Sequence, residues 1–226
     1  MNEYVVIVAG AGGELGPATA EKLPAARFTM VGVDRNEEAL RELPDSIRRE
    51  AANPTDPAAA RSAVDRIAAE VGPPEVLVNT IGTYRPGEAL TAMPEDLRLM
   101  IDVNVGAALW LTQAVVPYLR DRGSVPSCTW PPARAWSQRP GWPPTPSARR
   151  PWSTSPGCST WSCARWGSQV NAVAPQLLDT PRNRQYFTPD LLAHAVAPGA
   201  VADILVYLVS DAAAPVSGGV VPAYRA

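Results

Sequence analysis

The sequence predicts an α/β protein with a doubly wound parallel sheet in a single domain. Short apolar runs alternate with amphipathic helical segments, a glycine-rich turn follows the first run, and an acidic residue ends the second. Alternation of this kind is typical of a parallel sheet that helices cover on both faces. The 226 residues are enough to bury one substantial core, and nothing in the pattern requires a second domain.

The first apolar run and the turn after it are the most informative stretch. Val5 to Val8 predict a short buried strand, and Leu15 to Leu23 predict a helix. The glycines between them let the backbone turn tightly and approach a ligand, while the helix N-terminus offers unpaired N–H groups and a positive dipole end. This arrangement predicts a pyrophosphate site in a Rossmann-like fold.

The second apolar run, Phe28 to Val33, predicts a strand that ends at Asp34. An acidic residue about 20 positions after the glycine turn is where a Rossmann-like site binds the adenosine ribose hydroxyls. Taken alone, such an aspartate is more often a surface loop residue, but its place at a strand end favours the ribose role. Arg35 is the alternative contact, to the 2′-phosphate of NADP. Because Asp34 would repel that phosphate, we expect NAD as the cofactor and NADP as the alternative.

The same alternation continues to about residue 122. Further strands are predicted near 47–51 and at 75–79, with helices at 36–43, 58–71 and 94–122. Asn104 lies inside the last of these, among apolar neighbours. Asparagine is disfavoured in such a helix and must find partners, so Asn104 predicts a polar network, with a solvent-facing side chain as the equal alternative.

Together these residues resemble the short-chain dehydrogenases/reductases. The turn is similar to that family's Thr-Gly-x-x-x-Gly-x-Gly cofactor loop, although Ala9 stands at the threonine and Glu14 at the middle glycine. Gly10, Gly13 and Gly16 fit the related Gly-x-x-Gly-x-x-Gly spacing.

Later segments carry the same resemblance in the family's order. Asn79-Thr80-Ile81-Gly82 resembles the Asn-Asn-Ala-Gly that follows the fourth strand, and Asn104 matches the helix asparagine. Residues 170–175 and Thr180 resemble the sixth strand and its Pro-Gly turn, with Gln176 in place of the glycine. The stretches 204–212 and 216–218 resemble the last helix and the approach to the last strand. The resemblance covers residues 1 to about 123 and 169–226.

The resemblance implies a single dinucleotide-binding oxidoreductase domain over residues 1–226. Its activity would be the interconversion of a small ketone or aldehyde and an alcohol by hydride transfer with NAD(P). Asn104 is the catalytic residue that the chain retains. The cofactor contacts that the resemblance implies are Gly10, Gly12, Gly13, Glu14, Leu15, Gly16, Asp34, Arg35, Asn53, Pro54, Asn79, Gly82, Pro175 and Thr180.

Residues 124–168 break the pattern. They hold six of the seven tryptophans, all three cysteines and nine prolines in 45 residues. That proline content predicts neither a central strand nor a long helix. The family places its fifth strand, catalytic serine and Tyr-x-x-x-Lys helix in this interval. An aberrant Trp/Pro-rich segment is therefore expected to replace the fifth strand and the following helix.

Three interpretations of this segment compete: a disordered insertion, a proline-rich recognition loop, and a misread reading frame. An insertion would lengthen the chain, yet the flanking landmarks keep the family's spacing. With a slip of one base, Thr145, Ala148 and Arg149 can encode Tyr, Ser and Lys, which restores Tyr-x-x-Ser-Lys. Shifted codons over 152–168 can encode an amphipathic helix that leads into a strand. The shifted reading is favoured because its local helix and strand patterns agree with the fold that the flanking landmarks indicate. The alternative is a non-catalytic nucleotide-binding or interaction module whose segment is a genuine partner-binding loop.

The unshifted chain lacks the family's Tyr/Lys pair. In the family the lysine lowers the pKa of the tyrosine, which titrates near 10 when unperturbed and is of little use near neutrality without a cation. Lys22 is the only lysine, it belongs to the first predicted helix, and no tyrosine stands four residues before it. Little or no carbonyl reductase activity is therefore expected of this chain.

The composition argues against several classes of partner and site. A net charge of −2, a pI near 5.5 and the lack of a basic run predict no nucleic-acid partner. No continuous apolar stretch reaches about 18 residues and no signal peptide is evident, so a cytoplasmic protein without a membrane partner is expected. With no Cys-x-x-Cys pair and only His194, neither a metal site nor a Ser or Cys triad is predicted. A homo-oligomer, dimer or tetramer, is expected if the segment is frame-corrected.

Overall fold

A computed structural model describes residues 4–23, 27–83, 93–122, 127–130 and 169–225. Its centre is a seven-stranded sheet in the order β3-β2-β1-β4-β5-β6-β7, and every neighbouring pair is parallel. The strands are β1 Tyr4–Ala9, β2 Phe28–Asp34, β3 Arg48–Ala51, β4 Pro74–Asn79, β5 Ser127–Trp130, β6 Gln169–Pro175 and β7 Val220–Ala223. The order reverses direction between β1 and β4, which confirms the predicted doubly wound sheet.

Helices alternate with these strands. They are α1 Gly16–Lys22, α2 Glu37–Arg41, α3 Pro57–Glu70, α4 Pro94–Ile101, α5 Ala107–Arg122, α6 Pro181–Arg184, α7 Pro189–Leu192 and α8 Pro198–Leu208. Asn36 and Asp56 cap α2 and α3 by accepting backbone N–H bonds. The last long helix begins six residues before the predicted Ile204, because Pro198 occupies its first turn.

The sheet separates two hydrophobic cores. Side chains alternate along β1, so that Val6 and Val8 pack with α1 and α8 on one face, and Ile7 packs with α3 and α5 on the other. All three valine and isoleucine side chains are fully buried. Burial on both faces explains why the first strand is a continuous apolar run rather than an alternating one.

The segment that begins at residue 124 contributes a strand to the centre of the sheet. The expectation that its prolines exclude any central strand is wrong for Ser127–Trp130, which lies in the proline-free interval between Pro126 and Pro131. β5 pairs with β4 at Leu77 and Val78, and with β6 along its whole length. The rest of the segment, 131–168, lies outside the described residues, and with it the positions proposed to encode Tyr, Ser and Lys.

The helical stretch Pro94–Leu119 is long and apolar enough to cross a membrane by length and composition alone, with a mean hydropathy of 1.5. Mean hydropathy averages over polar residues such as Asn104 and Gln113. These two residues interrupt the continuous apolar run that the sequence criterion requires. In α5, Leu111 and Val115 are buried in the core that α3 also lines, while 28% of the apolar window as a whole is buried. The expected lack of a membrane partner remains a prediction.

The contact between α3 and α5 makes a prediction about acid unfolding. Tyr118 donates a 2.7 Å hydrogen bond to Oδ1 of Asp65, and this bond, with Arg61 nearby, holds the pKa of Asp65 below its ordinary value. A depressed carboxyl pKa contributes stability above the unfolded-state pKa of about 4, and the contribution is lost as pH falls through the folded-state pKa. We expect Tyr118→Phe to lower the free energy of unfolding at pH 7 and to make little difference near pH 2. Urea denaturation at both pH values measures this, and an equal loss at both would contradict it.

Candidate functional site

The glycine turn lies at the carboxyl edge of the sheet, where β1 is flanked by β2 and β4. Gly10 has φ +81°, a left-handed conformation that favours glycine, and a Cβ there would lie 2.8 Å from Oγ1 of Thr80. The carbonyl of Gly10 accepts the N–H of Gly13 at 3.0 Å, which closes a tight turn. The turn thus requires glycine at its first position.

Helix α1 begins directly against this turn. A Cβ on Gly16 would lie 2.5 Å from Cα of Ala11, so the close approach of helix and turn depends on this glycine. No side chain caps α1 at Leu15, so its first-turn N–H groups lack a side-chain partner from that residue. The Leu15 side chain is buried and leaves only its backbone for a ligand, while Gly13 and Glu14 are exposed.

Asp34 lies beside the turn as predicted. Its Oδ2 accepts the N–H of Gly12 at 3.1 Å, and its Oδ1 accepts the N–H of Asn36 at 2.9 Å. Each carboxylate oxygen keeps a further acceptor position. A Cβ on Gly12 would lie 2.6 Å from Cβ of Ala39, so glycine is needed to bring the turn this close to the acidic side chain. The neighbouring Arg35 is exposed.

The residues after β3 lie at the same edge. Asn53 is exposed, and its Oδ1 accepts the N–H of Thr55 at 3.2 Å and the hydroxyl of Thr55 at 2.9 Å. Pro54 is buried. Asn53 therefore fixes the turn that leads into α3 through its Oδ1. The residue is exposed, and its Nδ2 takes no part in these two bonds.

The end of β4 meets the turn from the other side. The hydroxyl of Thr80 lies 2.8 Å from the carbonyl oxygen of Ala9 and 3.1 Å from that of Gly10. Asn79 is buried, and its Oδ1 accepts the N–H of Ile81 at 3.0 Å. Its Nδ2 has no hydrogen-bond partner among the residues that the structure describes. Gly82 is exposed beyond it.

Asn104 occupies a π-helical turn, Asp102–Gly106, between α4 and α5. Its Nδ2 donates to the carbonyls of Met100 at 2.8 Å and Thr83 at 3.1 Å, and its Oδ1 accepts the N–H of Thr83 at 2.9 Å. The predicted polar network is confirmed, and the solvent-facing alternative is wrong. The amide joins the chain after β4 to a helix whose π-turn displaces backbone carbonyls from the regular ladder.

The end of β6 completes the edge. Pro175 is buried at the end of the strand, and Thr180 is only 2% exposed. Oγ1 of Thr180 accepts the N–H of Asn183 at 3.2 Å and caps α6, while Asn183 donates to the carbonyl of Leu178 at 2.8 Å. These bonds fix the backbone that leads from β6 into the region after it.

The described residues do not assemble an acid–base pair. Lys22 lies at the far end of α1 from the turn and forms a 2.5 Å ion pair with Asp203. The hydrogen bond to Asp65 raises the pKa of Tyr118, the reverse of what proton transfer near neutrality requires. Within the described ranges there is also no cluster of His, Cys, Asp and Glu that could hold a metal.

The sequence did not single out Thr80 or Thr83 as site residues. Both act through contacts with distant parts of the chain, since Thr80 reaches the glycine turn and Thr83 is held by Asn104. Two signals were available: both residues follow a strand that ends at the carboxyl edge of the sheet, and Thr80 lies within the Asn-Thr-Ile-Gly motif.

Comparisons with known proteins identify the family. A family model described as short chain dehydrogenase matches residues 4–125, more than half of the chain. A short chain dehydrogenase of Pseudocercospora fijiensis is 34% identical over 142 residues, 55% of this chain and 46% of that protein. The short-chain reductase NovJ of Streptomyces niveus is 34% identical over 128 residues, 54% and 49% of the two chains. The chain spans about half the length of the curated relatives it matches.

Solved structures match over nearly the whole chain. A gluconate 5-dehydrogenase from Burkholderia cenocepacia, in complex with NADP and tartrate, has a TM-score of 0.83 at 21% identity and covers 99% of this chain and 94% of its own. A 3-ketoacyl-(acyl-carrier-protein) reductase from Brucella melitensis complexed with NADH has the same TM-score at 20% identity and covers 99% and 97%. At these identities the likeness shows the fold. The similarity to the family model ends near residue 125, whereas the fold similarity continues past it.

Proposed function

The chain belongs to the short-chain dehydrogenase family, and from this premise we propose that it binds a nicotinamide dinucleotide at the carboxyl edge of the sheet for alcohol–carbonyl hydride transfer. The observation that carries the proposal is the contact between Asp34 and the N–H of Gly12. It brings an acidic acceptor and the glycine turn into the relative position that a ribose and a pyrophosphate require. The relatives named above are oxidoreductases, which supports the same class.

Each part of the edge has a role in this proposal. The N–H groups of the turn from Gly10 to Gly16 would bind the pyrophosphate, because the N-terminus of α1 carries the positive end of its dipole. The residues after β3, Asn53 and Pro54, would border the adenine. Pro175 and Thr180 would border the nicotinamide, which supplies the hydride. Glu14 would weaken phosphate binding by like-charge repulsion if its side chain faced the pyrophosphate.

We propose NAD rather than NADP. The carboxylate of Asp34 offers acceptors to the ribose hydroxyls and repels a 2′-phosphate at the same place. NADP remains the alternative through the exposed Arg35.

Asp34→Ala is expected to weaken NAD binding by at least about tenfold, because it removes hydrogen bonds to a charged acceptor. The same change removes repulsion, so the ratio of NADP to NAD affinity should rise. Calorimetric titration with both dinucleotides measures the ratio. Asp45→Ala is the matched control, since it removes the same charge from an exposed carboxylate that pairs with Arg49. An unchanged ratio in Asp34→Ala would contradict the assignment.

Hydride transfer to a carbonyl in this family also requires a tyrosine with a lysine four residues on, and the described residues contain no such pair. We propose that this chain binds its dinucleotide but reduces carbonyl compounds poorly, because Asn104 is the one catalytic residue of the family's set that it retains. We attribute the loss to a shifted reading frame between residues 124 and 168. The frame-corrected protein is proposed to be a cytoplasmic dimer or tetramer that acts on a small ketone, aldehyde or alcohol, with neither nucleic acid nor membrane as partner.

A further inference from the structure

We propose that Thr80 is a positioning residue for the glycine turn, holding it from the end of β4 in the conformation that receives a dinucleotide. The ligand rests on the proposed function above, whereas the effect on the turn does not. The proposal follows from two contacts that the residue after β4 makes with the end of the neighbouring strand β1 and with the turn.

One hydroxyl spans the junction of strand and turn. Oγ1 of Thr80 lies 2.8 Å from the carbonyl oxygen of Ala9, the last residue of β1, and 3.1 Å from that of Gly10, the first residue of the turn. The backbone N–H of Thr80 also donates to Ala9, at 2.8 Å. A hydroxyl carries a single proton, so it is shared between the two carbonyls.

The turn is held from two sides by different groups. On the β2 side, the carbonyl of Val33 accepts the N–H of Gly10 at 2.8 Å and of Ala11 at 3.2 Å. On the β4 side, the Thr80 hydroxyl contacts the Gly10 carbonyl, which also accepts the N–H of Gly13 at 3.0 Å. Glycine-rich backbone has many accessible conformations, and contacts on both its N–H and carbonyl groups restrict rotation of its peptide planes.

Loss of the hydroxyl would leave no orphaned carbonyl. Ala9 would keep the N–H of Thr80, and Gly10 would keep the N–H of Gly13. The buried polar groups stay satisfied, so the penalty of an unpaired group is avoided. The effect is therefore expected in the conformation of the turn more than in the stability of the whole domain.

Hydrogen exchange tests the turn without any ligand. Thr80→Val removes the hydroxyl at nearly constant volume, Thr80→Ser restores it, and Tyr118→Phe removes a hydroxyl that joins α3 to α5 elsewhere. Amides of residues 10–16 should exchange about two- to tenfold faster in Thr80→Val, the range expected for one hydrogen bond. Thr80→Ser and Tyr118→Phe should match the wild type in this segment. Unchanged exchange in Thr80→Val would overturn the proposal.

Fluorescence titration with NADH tests the consequence for binding. Thr80→Val should raise the Kd by about two- to tenfold, with recovery in Thr80→Ser and no change in Tyr118→Phe. An unchanged Kd in Thr80→Val, with a wild type that binds, overturns the positioning role while the proposed function stands. A wild type that binds no dinucleotide, with faster exchange in Thr80→Val, defeats the proposed function and leaves the turn contact supported.

Discussion

Replacing residues 124–168 with the sequence read in the shifted frame is expected to raise carbonyl reduction by about 10²–10⁴-fold over this chain. The shifted reading can place a tyrosine at position 145 and a lysine at 149, which Thr145 and Arg149 now occupy. A cation four residues on, one helical turn away, lowers the pKa of a phenol and makes it an effective proton donor near neutrality. The rate of NADH oxidation with a panel of small ketones and aldehydes measures the gain.

The control for this experiment is the same restored chain with phenylalanine at position 145. It keeps the restored helix and loses only the phenol, so its rate should return toward that of the unmodified chain. Robust turnover by the unmodified chain, at a confirmed mass, would contradict the account. So would a restored chain that folds and binds NADH but reduces none of the panel faster than its phenylalanine control.

The origin of the segment can be tested separately. Similarity to the family model ends at residue 125, while fold similarity to the two solved reductases covers 99% of the chain. We propose a slip of one base that is later compensated, because such a slip changes residues without changing their spacing. Sequencing the coding DNA between the codons for Gly123 and Gln169 should reveal the two compensating changes. Trp-rich tryptic peptides in the natural protein would instead favour a genuine partner-binding loop.

Gly16→Ala is expected to destabilise the protein by about 1–3 kcal/mol and to abolish measurable dinucleotide binding. The added Cβ would lie 2.5 Å from Cα of Ala11, and a backbone atom moves away only if the turn or α1 shifts. Such a shift displaces the N–H groups proposed for the pyrophosphate. Urea denaturation and NADH titration measure the two effects.

Gly199→Ala is the matched control, because Gly199 also lies in the first turn of a helix. A Cβ there would meet Cε of Lys22 at 3.6 Å, an ordinary van der Waals distance. Alanine is the better helix former, so this variant should be as stable as the wild type or more so, with unchanged binding. Equal losses in the two variants would show that helix propensity, rather than the close approach to Ala11, decides the effect.

Local signals were enough to predict the fold from β1 to β4. The apolar run of β1, the glycines after it and Asp34 at the end of β2 carry their structure in their own residue types and spacing. Gly16 was predictable for the same reason, since a helix that packs this closely against its preceding turn needs a residue without Cβ. The elements and the carboxyl edge of the sheet follow from such features because parallel strands place their carboxyl ends together.

Other features depend on contacts or constraints that a local reading does not resolve. The π-turn at Asn104 shares its apolar periodicity with an ordinary helix, so the sequence predicted one continuous helix. The contact of Thr80 with Gly10 joins residues 70 positions apart. β5 was missed because proline excludes a ladder bond at its own position, not across a segment, and four residues between two prolines suffice for a short strand.

Fluorescence titration of the unmodified chain with NADH tests the central claim most directly. We expect saturable binding of one NADH per chain, displaced by NAD, by a protein whose cooperative urea transition shows that it is folded. The Asp34→Ala variant should bind more weakly in the same titration. A folded wild-type chain with no saturable binding of NADH or NADPH would contradict the assignment of the glycine turn and Asp34 as a dinucleotide site.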